Sequence, residues 1–376
     1  MRHVRKTAII SASALLMVTT LPGYASAKER EDEHENESSA KVLLTDLASP
    51  KGLAVNQDRN LVVAQGAFAD PTLPPAGPVL VLDIHGRDKG TVTPVTDPAN
   101  IVDVAISPKD GTGWAIAGDG TLFHQLLDGS IVPVGNIPEY QAGDPDPVDQ
   151  DRPANPTESN PYGLAIARNG DALVADAAGN DLLRFTPEGV PSTVARFDVE
   201  TLSTDNIPPG VIPDLPAEVE AEAVPTSVNI GPDGAIYVSE LKGFPFRVGS
   251  SHIWRISKNA QDAWCSTDEP DPTNSCSIYD SGYTGIQDFA FGTKGKLYVY
   301  ELAADGVFAF EDGFATGVFP PAVLLEVRNS RHGQKRTELA AGQLSQPGGV
   351  VVTRGKVYVT DGMFTIGRLL KINDDD

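Results

Sequence analysis

VPTSVNIGPDGAIYVSELKGFPF (Val224–Phe246) decides how this chain is read. A short apolar run, Thr226–Ile230, meets the turn residues Pro232-Asp233-Gly234, and a second run, Ala235–Ser239, ends on an acid, Glu240. Two short runs joined by such a turn predict two antiparallel strands. The same phrase opens five other stretches: SPKGLAV (Ser49–Val55), NIVDVAI (Asn100–Ile106), NPYGLAI (Asn160–Ile166), GIQDFAF (Gly285–Phe291) and QPGGVVV (Gln346–Val352). Each is followed by a turn and a second run, LVVAQ, GWAIA, ALVAD, KLYVYE and KVYVTD in that order. The fourth residues of the six openings are Gly52, Asp103, Gly163, Ser227, Asp288 and Gly349, spaced by 51, 60, 64, 61 and 61 positions. A four-stranded blade needs roughly 40 residues or more. Each repeat therefore holds one blade with its loops, and six repeats predict an all-β, six-bladed β-propeller.

The third copy shows a whole blade: strand a at Tyr162–Ala167, b at Ala172–Asp176, c at Asp181–Phe185 and d at Ser192–Phe197. The sixth copy has a, b and c (Gly367–Ile372) and then the chain ends. Ahead of the first repeat, Lys41–Leu47 (KVLLTDL) is an apolar strand without a partner. The N-terminal strand is thus expected to complete the last blade, which leaves no open edge to aggregate.

Residues 1–27 read as a secretory signal. Arg2, Arg5 and Lys6 form a basic start, Ala8–Thr20 an apolar core, and Ala25-Ser26-Ala27 a small-residue cleavage site. The core is too short to span a bilayer, and an uncleaved anchor is the competing reading. Residues 28–40 (KEREDEHENESSA) are charged and have little to bury, so an acidic disordered linker is expected. The propeller then occupies residues 41–376. The expected location is outside the cytoplasm, secreted or periplasmic. The chain carries a net charge of −22, and three positive charges lie in the signal segment. Such a balance disfavours nucleic acid, whose binding needs Lys and Arg to displace counterions, and anionic membrane surfaces. No membrane insertion is expected, and a monomer is the expected state. The two cysteines, Cys265 and Cys276, sit close together in CSTDEPDPTNSC. In an exported chain they read as one disulfide stapling a loop, with two free thiols as the alternative.

Loop lengths point to one face. In a propeller the b–c and d–a connections share a face and the a–b and c–d connections share the other. The a–b turns are short. The long segments are Gly66–Ala76, Asn136–Ser159, Asp198–Ala223, Leu241–Ser250 and Arg328–Ser345, and all are read as b–c or d–a connections. Long loops on a rigid scaffold carry function, so the b–c/d–a face is the expected functional face.

Three phrases, ALVADAAGNDLLR (Ala172–Arg184), PTSVNIGPDGAIYVSELKGFPF (Pro225–Phe246) and GIQDFAFGTKGKLYVYEL (Gly285–Leu302), resemble the ScyD/ScyE family of secreted propeller proteins, whose repeats are NHL-like. The resemblance runs from about Val42 to the C-terminus. It implies an exported six-bladed propeller and carries no established reaction. The acidic linker and the Cys265–Cys276 loop depart from the family pattern.

Candidate site residues follow from the repeats. Strand b ends on a polar or acidic residue at Gln65, Asp176, Glu240, Glu301 and Asp361. Repeated around a ring, these side chains would make an electronegative mouth for a cation or a hydroxylated ligand, or each would accept the N–H groups of its own turn. Asn180, beside Asp176, and Tyr162, opening strand a of copy three, are candidates for the same mouth. Phe244 and Phe246 stand on a b–c connection, where they either meet a glycan, small molecule or protein or plug the channel as local core. Asp103 and Asp288, three blades apart, would face each other across the axis. They are candidate metal ligands, calcium being the cation implied, with Asn160, Asn180 or Gln287 supplying an amide; the alternative is two structural carboxylates. The acid-rich run Asp144–Asp151 lacks the glycine and final glutamate of an EF-hand loop. No G-x-S-x-G, H-E-x-x-H or P-loop motif is present. The expected function is a ligand- or protein-binding propeller, with a metal-dependent hydrolase or lactonase of the gluconolactonase class as the alternative.

Overall fold

The computed structural model describes residues 38–67, 75–97, 99–330 and 333–373. The signal segment, nearly all of the linker and part of the Gly66–Ala76 loop lie outside the described residues. Six sheets follow one another around a ring, each built on four antiparallel strands, and that of blade 3 has five in all. Their innermost strands are Pro50–Val55, Ile101–Ile106, Pro161–Ile166, Pro225–Ile230, Ile286–Phe291 and Pro347–Thr353, which are the six openings read from the sequence. The fold is the predicted β-propeller. Its closure is also as predicted: Ser39–Ala48 pairs antiparallel with Ile366–Asn373 as the outer strand of blade 6. The strand starts at Ser39, inside the segment assigned to the linker.

Apolar side chains of neighbouring sheets pack between the blades. Trp254, Phe197 and Val238 lie in the core where blades 3 and 4 meet, and Tyr300, Val359 and Leu370 in the core between blades 5 and 6. Blade 3 gains a fifth strand, Ala263–Cys265, which runs parallel to Pro191–Phe197. It belongs to the loop closed by the Cys265–Cys276 disulfide, so the staple ties blade 4 to blade 3.

The loops differ from expectation in two places. Arg328–Ser345 is not a d–a connection. It contains the end of Val323–Ser330 and the outer strand Gly333–Leu339. Its charges hid a strand because an outermost strand faces solvent, and Lys and Arg there protect the edge. Conversely, the b–c connection of blade 5 is long and carries a helix, Val307–Thr316, ending on Gly317 in the left-handed region. Asp198–Ala223 holds a two-stranded hairpin, Glu200–Ser203 with Glu218–Ala221.

Candidate functional site

The acids that end strand b are buried, and they serve the backbone. Asp176 has no exposed surface. It accepts hydrogen bonds from the N–H groups of Asn160 (2.6 Å), Ala178 and Gly179, from the Ser159 hydroxyl (2.6 Å) and from the Gln141 amide. Asp361 accepts from the N–H groups of Ser345 and Gln346 and pairs with Arg368. Glu301 accepts from Thr284 N–H at 2.6 Å, and Gln65 from Ala48 N–H at 2.7 Å. Each of these four clasps the segment that leads into strand a of its own blade. Asn180 is likewise enclosed, donating to Asp146 and accepting from Val224 N–H. The predicted polar mouth is therefore corrected to a ring of internal clasps. The repetition was visible in the sequence; the direction in which the side chains reach was not.

Along the axis the six inner strands share one irregularity. Each has a register break after its first residue, as between Ile101 and Asp103 or Pro161 and Gly163, and a longer one in blades 1 and 6, between Pro50 and Leu53 and between Pro347 and Val350. Bulges re-aim side chains, and here they bring the third and fourth residues of the openings to a central cavity of about 30 Å³, lined by Lys51, Asp103, Tyr162, Ser227, Gln287 and Asp288 among others. That volume holds one or two waters. Gly52 makes the close approach possible: a Cβ there would lie 2.7 Å from Asp103 Cα.

Asp103 and Asp288 do share the cavity, as expected. Both also bind strands together. Asp103 accepts from its own Val104 N–H and from Leu164 N–H of blade 3, each at 2.8 Å. Asp288 accepts from Phe289 N–H, the Ser227 hydroxyl and Val350 N–H of blade 6. Burial, with repulsion from Asp288, lifts the Asp103 carboxyl well above its usual range, and burial lifts Asp288 to about 6. Gln287 donates its amide N–H to Tyr162 Oη at 2.7 Å, and Tyr162 donates to Met363 Sδ. Lys51 lies over the Tyr162 ring at 5.9 Å, and its enclosure lowers the ammonium to about 8. Calcium takes about 6–8 oxygen ligands. Here every carboxylate oxygen already holds a backbone donor and a lysine lines the same cavity, so the donor set does not fit that ion.

Above the axial cavity on the b–c/d–a face sits an aromatic cap. Phe244 and Phe246 from blade 4 pack edge-on against each other and against Phe308 of the blade 5 helix, with Phe246 and Phe308 centred 5.2 Å apart. Phe310, Phe314, Phe319 and Phe364 form a second group with centroids 5.0–5.7 Å apart. Met363, which receives the Tyr162 hydroxyl, belongs to the same cluster as Phe310 and Phe364. Phe244 and Phe246 are half-buried, so they are partly core and partly surface. At the rim, Val248 and Val318 are 55% and 75% exposed, and Phe314 also reaches solvent. Glu311 on the same helix has no hydrogen bond among the described residues, and burial lifts its carboxyl to about 7. The helix escaped sequence reading, although Val307, Phe310 and Phe314 have the spacing of one helical face.

A buried charge cluster fixes the blade 4 part of this cap. Glu200, Glu240 and His252 bring ligand atoms within 4.8 Å of one another. A lysine already occupies the cation's place: Lys242 Nζ lies 3.0 Å from Glu200 and 2.9 Å from Glu240. Glu240 also accepts from His252 N–H and Trp254 Nε1–H. Burial alone would raise Glu200; the hydrogen bond from His252 and the Lys242 charge hold it at about 2. Lys242 sits at φ 71°, a conformation that costs a side-chain-bearing residue about 1–2 kcal/mol. The loop Gly243–Phe246 starts from that residue. The acid run of the 144–151 loop is not a free surface either. Asp144 pairs with Arg196 and Asp146 with Asn180, while burial and the nearby Glu158 and Glu222 lift Asp151 to about 7.

No protein-family model matches the chain, and no curated protein matches its sequence. Solved structures do match. They include a glucose dehydrogenase (13% identity, TM-score 0.53, covering 90% of this chain and 100% of that one). A gluconolactonase from Xanthomonas campestris matches at 14% identity and TM-score 0.51, covering 90% of each chain. A catalytically inactive virginiamycin B lyase from Staphylococcus aureus, solved with quinupristin, matches at 13% identity and TM-score 0.50, covering 90% of this chain and all of that one. At such identities the likeness establishes the β-propeller fold alone.

Proposed function

We propose that this chain is an exported binding propeller that takes a small molecule, glycan or protein surface on the b–c/d–a face, at the aromatic cap. The observation that carries this reading is the cap itself. Seven phenylalanines from three adjacent b–c connections meet there, and their rim keeps Val248, Phe314 and Val318 in solvent. Rigid rings at a solvent edge give contact area at small entropic cost. The acids beneath the cap are committed to the fold, which leaves the rings and Glu311 as the groups able to meet a partner. The signal-like segment 1–27 supports export. Among the described residues no helix is long and apolar enough to cross a membrane. The test is a glycan and peptide array probed with the purified protein and with a Phe244→Ala, Phe246→Ala variant whose melting is checked. A ligand bound by the parent and lost by the folded variant supports the reading. No ligand, or one held equally by both, rejects it.

A metal-dependent hydrolase or lactonase is the second reading. It rests on the shared propeller fold of the gluconolactonase, while the committed oxygens of Asp103 and Asp288 on the axis weigh against a calcium there. It is tested by the metal content of the purified protein and its melting before and after EDTA. A stoichiometric metal with a chelator-sensitive transition supports it, and a metal-free protein with an unchanged transition removes it.

A further inference from the structure

The opposite face also holds a cavity. Near the end of strand a each blade carries a branched or aromatic apolar residue at equivalent register: Val55, Ile106, Ile166, Ile230, Phe291 and Val352. Three of them, Ile166, Ile230 and Phe291, wall a cavity of about 360 Å³ at the a–b end of the channel, with Pro108, Gly231, Pro232 and Arg168. The wall draws on blades 2 to 5, so the cavity lies across the ring. Its size falls in the range of small-molecule sites, roughly 300–1,000 Å³.

The wall itself carries one charge, and its sign is opposite to that of the chain. Across a net charge of −22, the single charged wall residue is the cation Arg168. It is exposed and makes no hydrogen bond or ion pair among the described residues. Two further cations stand on the bordering turns. Lys109 follows Pro108 and donates to the Asn169 carbonyl at 3.1 Å, next to Arg168. Lys294 is three positions after Phe291 and is exposed. The acids of the same turns are already engaged. Asp110 accepts from Thr112 N–H and Oγ1–H, Asp171 from the Asn169 amide, and Asp233 from Arg255 and Ala235 N–H. What remains is an apolar wall with an uncommitted guanidinium. A guanidinium presents paired N–H donors that match a carboxylate, and Arg168 offers them at the solvent edge of the apolar wall.

We propose that this cavity binds a small amphiphilic carboxylate, an aryl or medium-chain acyl acid, with its apolar body against Ile166, Ile230, Pro232 and Phe291 and its carboxylate on Arg168. The inference stands apart from the aromatic cap on the other face. It is tested by calorimetric titration of the full chain with sodium octanoate, octylammonium chloride and phosphatidylglycerol vesicles, on the parent and on Arg168→Glu and Arg354→Glu. Arg354 lies on a blade 6 turn outside the wall. The expected result is saturable octanoate binding, weakened at least about tenfold by Arg168→Glu and unchanged by Arg354→Glu, with no saturable octylammonium binding. Four results overturn the proposal: no saturable octanoate binding, equal affinity in Arg168→Glu, equal loss in both variants, or octylammonium binding as tightly as octanoate. Arg168-dependent binding to the vesicles that octanoate does not compete would make the face a membrane-docking surface and likewise reject it.

Discussion

Replacing Lys242 with methionine removes the centre of the charge cluster under the aromatic cap. The side chain is 1% exposed and lies within 3.0 Å of both Glu200 and Glu240. Methionine matches its length and leaves Glu240, itself 1% exposed at the side chain, charged and without its cation. Breaking a buried pair on one side costs about 3–5 kcal/mol, because the remaining charge stays desolvated. A fold of this size unfolds with an entropy on the order of 0.7 kcal/mol per kelvin, so the melting temperature should fall by about 4–7 °C. Adding Glu240→Gln removes the stranded charge, and its amide oxygen still accepts from Trp254 Nε1–H. The double variant should recover most of the loss, as buried ion pairs replaced on both sides are often nearly neutral. Differential scanning calorimetry on the parent, the single and the double variant measures both steps. A single variant melting with the parent, or a double variant melting no higher than the single, would refute the cluster as the anchor of the Gly243–Phe246 loop.

Two further outcomes are expected. Glu301, Glu311 and Asp151 titrate near 7 in the folded chain, and Glu222 and Asp288 near 6. Unfolded, such groups titrate near 4. Between these values the folded state binds protons that the unfolded state does not, so stability falls as pH rises through about 5 to 7. The denaturation midpoint should be higher at pH 5.5 than at pH 8 in equal salt, and a midpoint that rises with pH would count against these assignments. For the disulfide, Cys265 and Cys276 are separated by 11 positions, and closing a loop of that size stabilises by about 3 kcal/mol through the unfolded state. The Cys265→Ser, Cys276→Ser variant should lose that much in a urea titration. Asp271, which accepts from Thr273, Ser275 and Cys276 N–H, should still hold the loop's shape; an unchanged midpoint would contradict the estimate.

The inner half of each blade was legible because strands a and b are buried on both faces and so repeat as apolar runs around a turn. The outer half was less so. In blade 1, strands c and d shrink to Leu80–Leu82 and Val92–Pro94, and in blade 5 the outer strand reads GQKRTEL because solvent sets its composition. For the site, sequence located Phe244 and Phe246 but not their partner Phe308, since the contact joins separate blades. It also placed Asp176, Glu301 and Asp361 correctly at the ends of strands. Whether such a carboxylate turns outward or back into the protein depends on where unpaired N–H groups lie, and these belong to loops with no sequence pattern. Lys242 carries no sequence signal, because its partner Glu200 arrives on an inserted hairpin.

The pairing of Ser39–Ala48 with Ile366–Asn373 sets an order of assembly. Partners in this clasp stand up to 334 positions apart, so the ring has no finished sixth blade until nearly the whole chain is available. Five blades can stack from neighbouring contacts as they emerge, but the last must wait for both ends, and such distant pairings form slowly. Until then the inner strands of blade 6 present unpaired edges, a hazard for aggregation. Trimming the chain before Ile366 and trimming it past Ala48 are therefore one lesion approached from opposite ends. Either would leave a ring that stacks without locking.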